Sequence, residues 1–445
     1  MKLGVAGPNA TSTLPFGGRE RGRYYVLMAL VLFGAIFTIG AQSWVRFFLD
    51  PKESNGVPVR LFTNADYPGI SIGSRMVAAG RGAELYNFDA QLQEQGRIIE
   101  EGYLYLRAGP DVPLLYPYPY APFIAVLWSP FAGLSPLTGM AIWDILNIAA
   151  LAGGLWYLVS SLPLPGTTRL LALLAGLTSF PFIVNLEQGQ SSGVVLFSFA
   201  LGIGLLRRGH DLPAGLAFGL LILKMQWLPI LVLVLLFKRR WRTLSGMAIT
   251  GCALLLTVVA VIGTGWIPGY LRVVQGAQNW ERELALDPWF SHSLSGGVTA
   301  LLGRGTDDIV KVVMIAATLL AAALLIYLWR GPWRPGTALW DGLMAITLLA
   351  IIFTNLQVNT HDLCLLSMPA ALGISYLHQS PKGEGVKMAW YALLWGSYLV
   401  PALLLPQTFA LPLRMTTLLV AGMIGLLVWL LSRHVPSENA ATTAQ

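Results

Sequence analysis

Long apolar runs recur along the whole chain, at 24–45, 137–160, 168–186, 191–206, 243–266, 309–330, 336–354, 362–378, 387–405 and 409–432. A run of about 20 residues crosses the hydrocarbon core as a helix. Lipid offers the backbone no hydrogen-bond partners, so each such run must satisfy its own N–H and C=O groups as a helix. This succession predicts an all-α polytopic membrane protein. Composition agrees: 55% of residues are hydrophobic and 11% are charged, less than half the charged share of about 25% in soluble domains. The net charge of +7 is not a nucleic-acid signal. Its basic residues form short clusters between apolar runs, the pattern that orients helices in a bilayer. The two cysteines, Cys252 and Cys364, indicate neither a disulfide framework nor a zinc site. Residues 1–23, with Arg19, Arg21 and Arg23, read as a cytoplasmic tail ahead of an uncleaved first span.

Topology turns on the segment 212–237, which carries Lys224 in the middle of an otherwise apolar run. A charge at the centre of a membrane helix costs about 2.5–3.5 kcal/mol on insertion scales. The flanks, "LRRGHD" and "FKRRWR", are both basic. A single crossing would put one of them outside, whereas a hairpin keeps both inside. The hairpin also places Lys238–Arg242, Arg330 with Arg334, Lys382 with Lys387, and Arg433 on the inner side. It predicts about 12 transmembrane helices in a membrane domain over 24–432, with cytoplasmic tails 1–23 and 433–445. Lys224 then lies at the hairpin tip, facing outward. Arms of about eleven residues reach roughly 16 Å, short of the ~30 Å core, so the tip should meet a water-filled cavity. The segment 118–133, cut by Pro119, Pro122 and Pro130, reads as an interfacial helix.

With this topology the polar residues gather outside, in loops 46–136 and 267–308, in "NLEQGQSS" and in "TNLQVNTHDL". Asp66 could be a general base, or a helix N-cap ahead of Pro68. His361 can exchange protons near neutral pH, while Asp362 could equally cap a helix. Glu187 and Gln190 flank Gly189 and could be simple turn polarity. Arg272, Arg282 and Lys224 suit phosphate binding or ordinary lipid headgroups. His292 lies in the loop 267–308 with Arg282. Asp144 is a suspect because it lies inside a span, although a neighbour could pair it. Asp307 and Asp308 read as a helix start. No phosphate-cradling glycine loop, His/Cys metal spacing or Gly-x-Ser-x-Gly elbow is present.

Several stretches in order resemble glycosyltransferase family 87 of the GT-C superfamily. They are "DYPGISIGSRMVAAGRGAELYNFD", "YPYAPFIAVLWSPFAGLSPLTGMAIWDILN", the "EQGQSS" turn with the Lys-centred hairpin, and "NTHDLCLLSMPA". The resemblance covers roughly residues 60–375. It implies a GT-C-type fold with two long outer loops carrying interfacial helices. It also implies an inverting transferase that uses a polyprenyl-phosphate sugar, typically mannose, on the outer face of a bacterial plasma membrane. Asp66 matches the family's early catalytic carboxylate and His361 its late histidine. Arg75, Glu187, Gln190, Lys224, Arg282, His292 and Asp362 would contact substrate, with basic groups on the donor phosphate. No metal or cofactor is called for; the expected partners are membrane lipids, the lipid-linked donor and a lipid or glycan acceptor. Met225 and Gln226 follow Lys224 where the family often has proline, and the stretch before Asp66 is longer than usual. The competing readings are a transporter or flippase of a lipid-linked sugar and a catalytically inert scaffold.

Overall fold

The computed structural model describes residues 26–38, 53–54, 57–58, 66–101, 117–275, 291–303, 305–380, 383–408 and 414–433. These are helical apart from connecting turns and a two-residue antiparallel pairing of Glu53–Ser54 with Val57–Pro58. Helix ends fall where local chemistry stops the ladder. Pro136–Ser160 begins behind Ser135, whose hydroxyl accepts from the Thr138 N–H at 3.1 Å. Pro136 sits in the first turn, where a missing N–H costs nothing. The apolar run 168–186 is two helices, Gly166–Thr178 and Phe180–Gln188, bent by 41°. Ser179 is extended between them and caps the second through the Phe182 N–H at 3.3 Å, with Pro181 in its first turn.

Pro136–Ser160, Trp241–Ile262, Asp307–Leu328 and Met415–Ser432 are long and apolar enough to cross a membrane, and the bent pair makes a fifth if it is one span. Two of these leave their apolar faces uncovered. Leu256 is 68% exposed and Leu320 71%. Such faces are costly in water and at home in lipid tails. The chain is a membrane protein.

The helices run between two ends. At one end Arg207 is ion-paired with Asp341, which also accepts from the Ser375 hydroxyl at 2.7 Å. Lys238 donates to the Trp329 carbonyl at 2.9 Å, and Arg208 lies 4.0 Å over the Tyr157 ring. At the other end the chain brings together residues 66, 188–192, 224 and 359–362.

The segment 212–237 folds back on itself. Asp211–Gly219 leads into a tighter 3₁₀ stretch, Leu220–Trp227, followed by Pro229–Phe237. Arg240 is ion-paired with Asp211, so both mouths of the segment lie together. A Cβ on Gly215 would come within 2.0 Å of the Thr243 carbonyl oxygen, so the first arm seats closely on Trp241–Ile262. Both arms pack on Trp241–Ile262; the first also packs on Ser192–Arg207, the second on Asp307–Leu328 and Ala338–Thr354.

The stretch 118–133 was expected to lie along the membrane. Its prolines leave a helix of 6 residues, Phe123–Trp128, and most of it is buried against Tyr67–Ala78. Tyr118 goes inward because its hydroxyl is satisfied there, donating to the Ala121 carbonyl at 2.6 Å.

Candidate active site

Asp66 stands just ahead of helix Tyr67–Ala78, which Pro68 helps to start. Its side chain makes no capping bond to that helix, so the N-cap alternative is not how the carboxylate is used. Two neighbours hold it instead. Its main-chain N–H donates to the Gln188 carbonyl at 2.8 Å, and Gln190 Nε2 donates to Oδ2. Gly189 makes this approach possible. It ends helix Phe180–Gln188 in the left-handed region, φ +63°, and a Cβ there would lie 2.5 Å from that of Tyr67. Tyr67 is itself fixed, its hydroxyl accepting from Trp128 Nε1 at 2.9 Å. Gln190 Nε2 also lies 3.3 Å from the Tyr120 hydroxyl, and its carbonyl accepts from Trp143 Nε1 at 3.1 Å.

Asp66 touches solvent space yet has protein around it in depth, the combination found in a recess. Burial is the largest influence on its carboxyl and raises it to about 6. The Gln190 bond and the Lys224 charge pull it down, and the Asp362 charge pushes it up. Lys224 and Asp362 are therefore close enough for their fields to be felt at Asp66.

Lys224 breaks the hairpin. Its φ of −135° and ψ of 78° interrupt the helical path inside Leu220–Trp227. The side chain is buried, and its ammonium meets Asp362 Oδ1 at 3.2 Å. That oxygen also accepts from Ser192 Oγ at 2.7 Å. The other, Oδ2, accepts from the Asn359 N–H at 3.2 Å, with His361 Nε2 at 3.5 Å. The expected helix 362–378 opens with this 3₁₀ turn, Thr360–Leu366, before Ser367–Gln379. Asp362 thus caps the turn and neutralises the lysine at once. His361 Nδ1 is 2.8 Å from Gln188 Oε1, which ties the turn to the Asp66 side of the recess.

A carboxylate, a cation and a histidine meeting in one recess suit group transfer with a charged leaving group. The sequence profile of glycosyltransferase family 87 matches residues 118–354. The chain belongs to glycosyltransferase family 87. No curated protein and no solved structure matches it. As a family 87 member it is a glycosyltransferase. The profile match takes in Gln190, Ser192 and Lys224 but neither Asp66 nor His361 and Asp362. Folding brings those outliers to the matched core.

The other expected residues of this family 87 site fall in different places. Arg75 lies on the helix that Asp66 starts, doubly bonded to Glu101 at 2.9 and 2.7 Å. Glu187 is half-buried on the last turn of Phe180–Gln188, while its neighbour Gln188 holds His361. His292 has both ring nitrogens engaged, with Thr416 at 2.8 Å and Thr360 at 3.1 Å. Its N–H donates to the Val358 carbonyl at 2.7 Å, so it clamps the 358–362 turn to the last helix. Arg272 is exposed on Ile267–Gln275, and Asp144 is buried on Pro136–Ser160. Arg282 lies outside the described residues. Sequence reasoning missed Gln188, Ser192 and Tyr120; the first two stand in the quoted "EQGQSS" turn, whose flanking Glu187 and Gln190 drew attention instead.

Proposed function

We propose that this enzyme is an inverting glycosyltransferase that moves mannose from a polyprenyl-phosphate donor to a lipid or glycan acceptor at the outer face of the membrane. The observation that carries the reading is the convergence of Asp66 and Lys224, near enough for the ammonium's charge to act on the carboxyl. An acceptor hydroxyl gives its proton to an Asp66 oxygen as its own oxygen attacks the anomeric carbon. The bond from that carbon to the phosphate oxygen breaks, and polyprenyl phosphate leaves with the electron pair. One displacement inverts the centre. Raised to about 6, Asp66 stays mostly ionised at neutral pH while being a stronger base than a free carboxylate. Phosphate is a competent leaving group, and a lysine ammonium meets its charge. The outer-face assignment follows from the basic clusters, which gather at the end opposite the recess.

A flippase would need polar groups along a path through both leaflets. The buried charges at the opposite end, Arg207 and Asp341, are locked to each other and to Ser375 instead. The deciding experiment is transfer of labelled mannose from polyprenyl-phosphate mannose by the purified protein in nanodiscs. Asp66→Asn is expected to fold and to lose about 10²–10⁴ in turnover. Full turnover by that variant would remove the base assignment. Vesicle transport without any glycosidic product would favour the flippase.

A further inference from the structure

The fold treats the two partners of its central ion pair unequally. Among the described residues Lys224 bonds only to Asp362, at 3.2 Å. An ammonium has three N–H donors, so two remain for another ligand. Lys224 is buried, but Met225 and Gln226 beside it are exposed, so the tip borders open space. Asp362 is in the reverse condition. Ser192 and Lys224 fill Oδ1, while the Asn359 N–H donates to Oδ2 from the residue's own turn. Buried and engaged at both oxygens by protein groups, this carboxylate faces the protein rather than a substrate. It is also held by Ser192 from another helix and by its own turn, which makes it a rigid anchor for a flexible four-carbon stem.

We infer that Asp362 is a positioning residue, which fixes the Lys224 ammonium so that its remaining N–H groups grip the phosphate of a polyprenyl-phosphate ligand. This replaces the expectation that Asp362 contacts substrate itself, and it rests on the donor class proposed above. Ser192 takes part by orienting the carboxylate. An ammonium without a counter-charge would lose its aim and stand as an uncompensated buried charge.

The test uses the full-length protein in nanodiscs with two probes, a polyprenyl monophosphate and the polyprenol of equal length. The wild type is expected to bind the phosphate at least about tenfold more tightly than the alcohol, as for a hydrogen bond to a charged group. Lys224→Met and Asp362→Asn are each expected to lose that preference, and the double variant to lose no more than either single one. Asp362→Glu should recover part of it. Losses that add in the double variant overturn the inference, as does equal binding of the two probes by the wild type. Ser192→Ala keeps the ion pair and guards against failure of Asp362→Asn to fold; it should lower the preference severalfold, and an unchanged preference again overturns the inference. Transfer activity of the wild type is read separately. Its absence beside an intact phosphate preference sinks the enzymatic proposal alone.

Discussion

At Asp66 the proposed chemistry depends on where one proton sits. The base must be ionised to work, and its carboxyl is raised to about 6. Transfer efficiency is therefore expected to fall as pH drops through about 6 and to level off above it. A pH profile of kcat/KM checks this, and an acid limb near the ordinary aspartate value would contradict it. The Gln190 amide holds that value down. Gln190→Leu should move the limb to higher pH and weaken transfer at neutral pH, with less effect above the new limb. His361 stood out in the sequence at the mouth of an apolar run, and Asp66 through the resemblance to the family's early carboxylate. Their partners did not, since Asp66 and Gln190 are 124 residues apart and Lys224 and Asp362 are 138 apart. Nothing in local pattern says which distant carboxylate will neutralise a buried lysine.

Among the elements, the re-entrant segment and the Gly189 turn carry the site. The hairpin could be read from its two basic flanks and its central charge, and the Asp211–Arg240 ion pair closes it as that reading requires. Its detail could not, because the 3₁₀ path through Leu220–Trp227 depends on packing against four other helices. The proline-cut stretch 118–133 misled for a related reason. Apolar residues beside aromatic ones look alike whether they meet headgroups or the protein interior. Gly189 combines a positive φ with contact against Tyr67. Gly189→Ala is expected to cost about 1 kcal/mol or more, from strain at positive φ and the clash. It should also lower transfer, because the turn carries both Gln188 and Gln190. Melting curves and transfer assays of the same preparation would show both effects; a variant as stable and active as the wild type would show that the turn tolerates displacement.

Across the described residues, the cluster of Arg207, Arg208, Lys238 and Arg240 lies at the end opposite the recess. Helix positions were readable from apolar run length, and most of the expected runs coincide with observed helices to within a few residues. Against the roughly twelve crossings expected from the sequence, the described residues hold four helices long and apolar enough to cross, or five with the bent pair. Labelling tests the arrangement directly. In a Cys252→Ser background, cysteines at His210 and Arg242 are expected to react from the same side of the membrane. A cysteine at Gln226 should react from the other side. His210, Arg242 and Gln226 are all exposed, so access is set by side rather than burial. Labelling of His210→Cys and Arg242→Cys from opposite sides would rule out the folded-back segment.

The long separation between Lys224 and its counter-charge bears on how the protein is made. When the tip first emerges from the ribosome, Asp362 has yet to be synthesised. A nascent chain that has placed residues 212–237 in lipid holds a cation with nothing to quench it until more than a hundred further residues have followed. The recess is thus completed only once the chain has been made as far as residue 362.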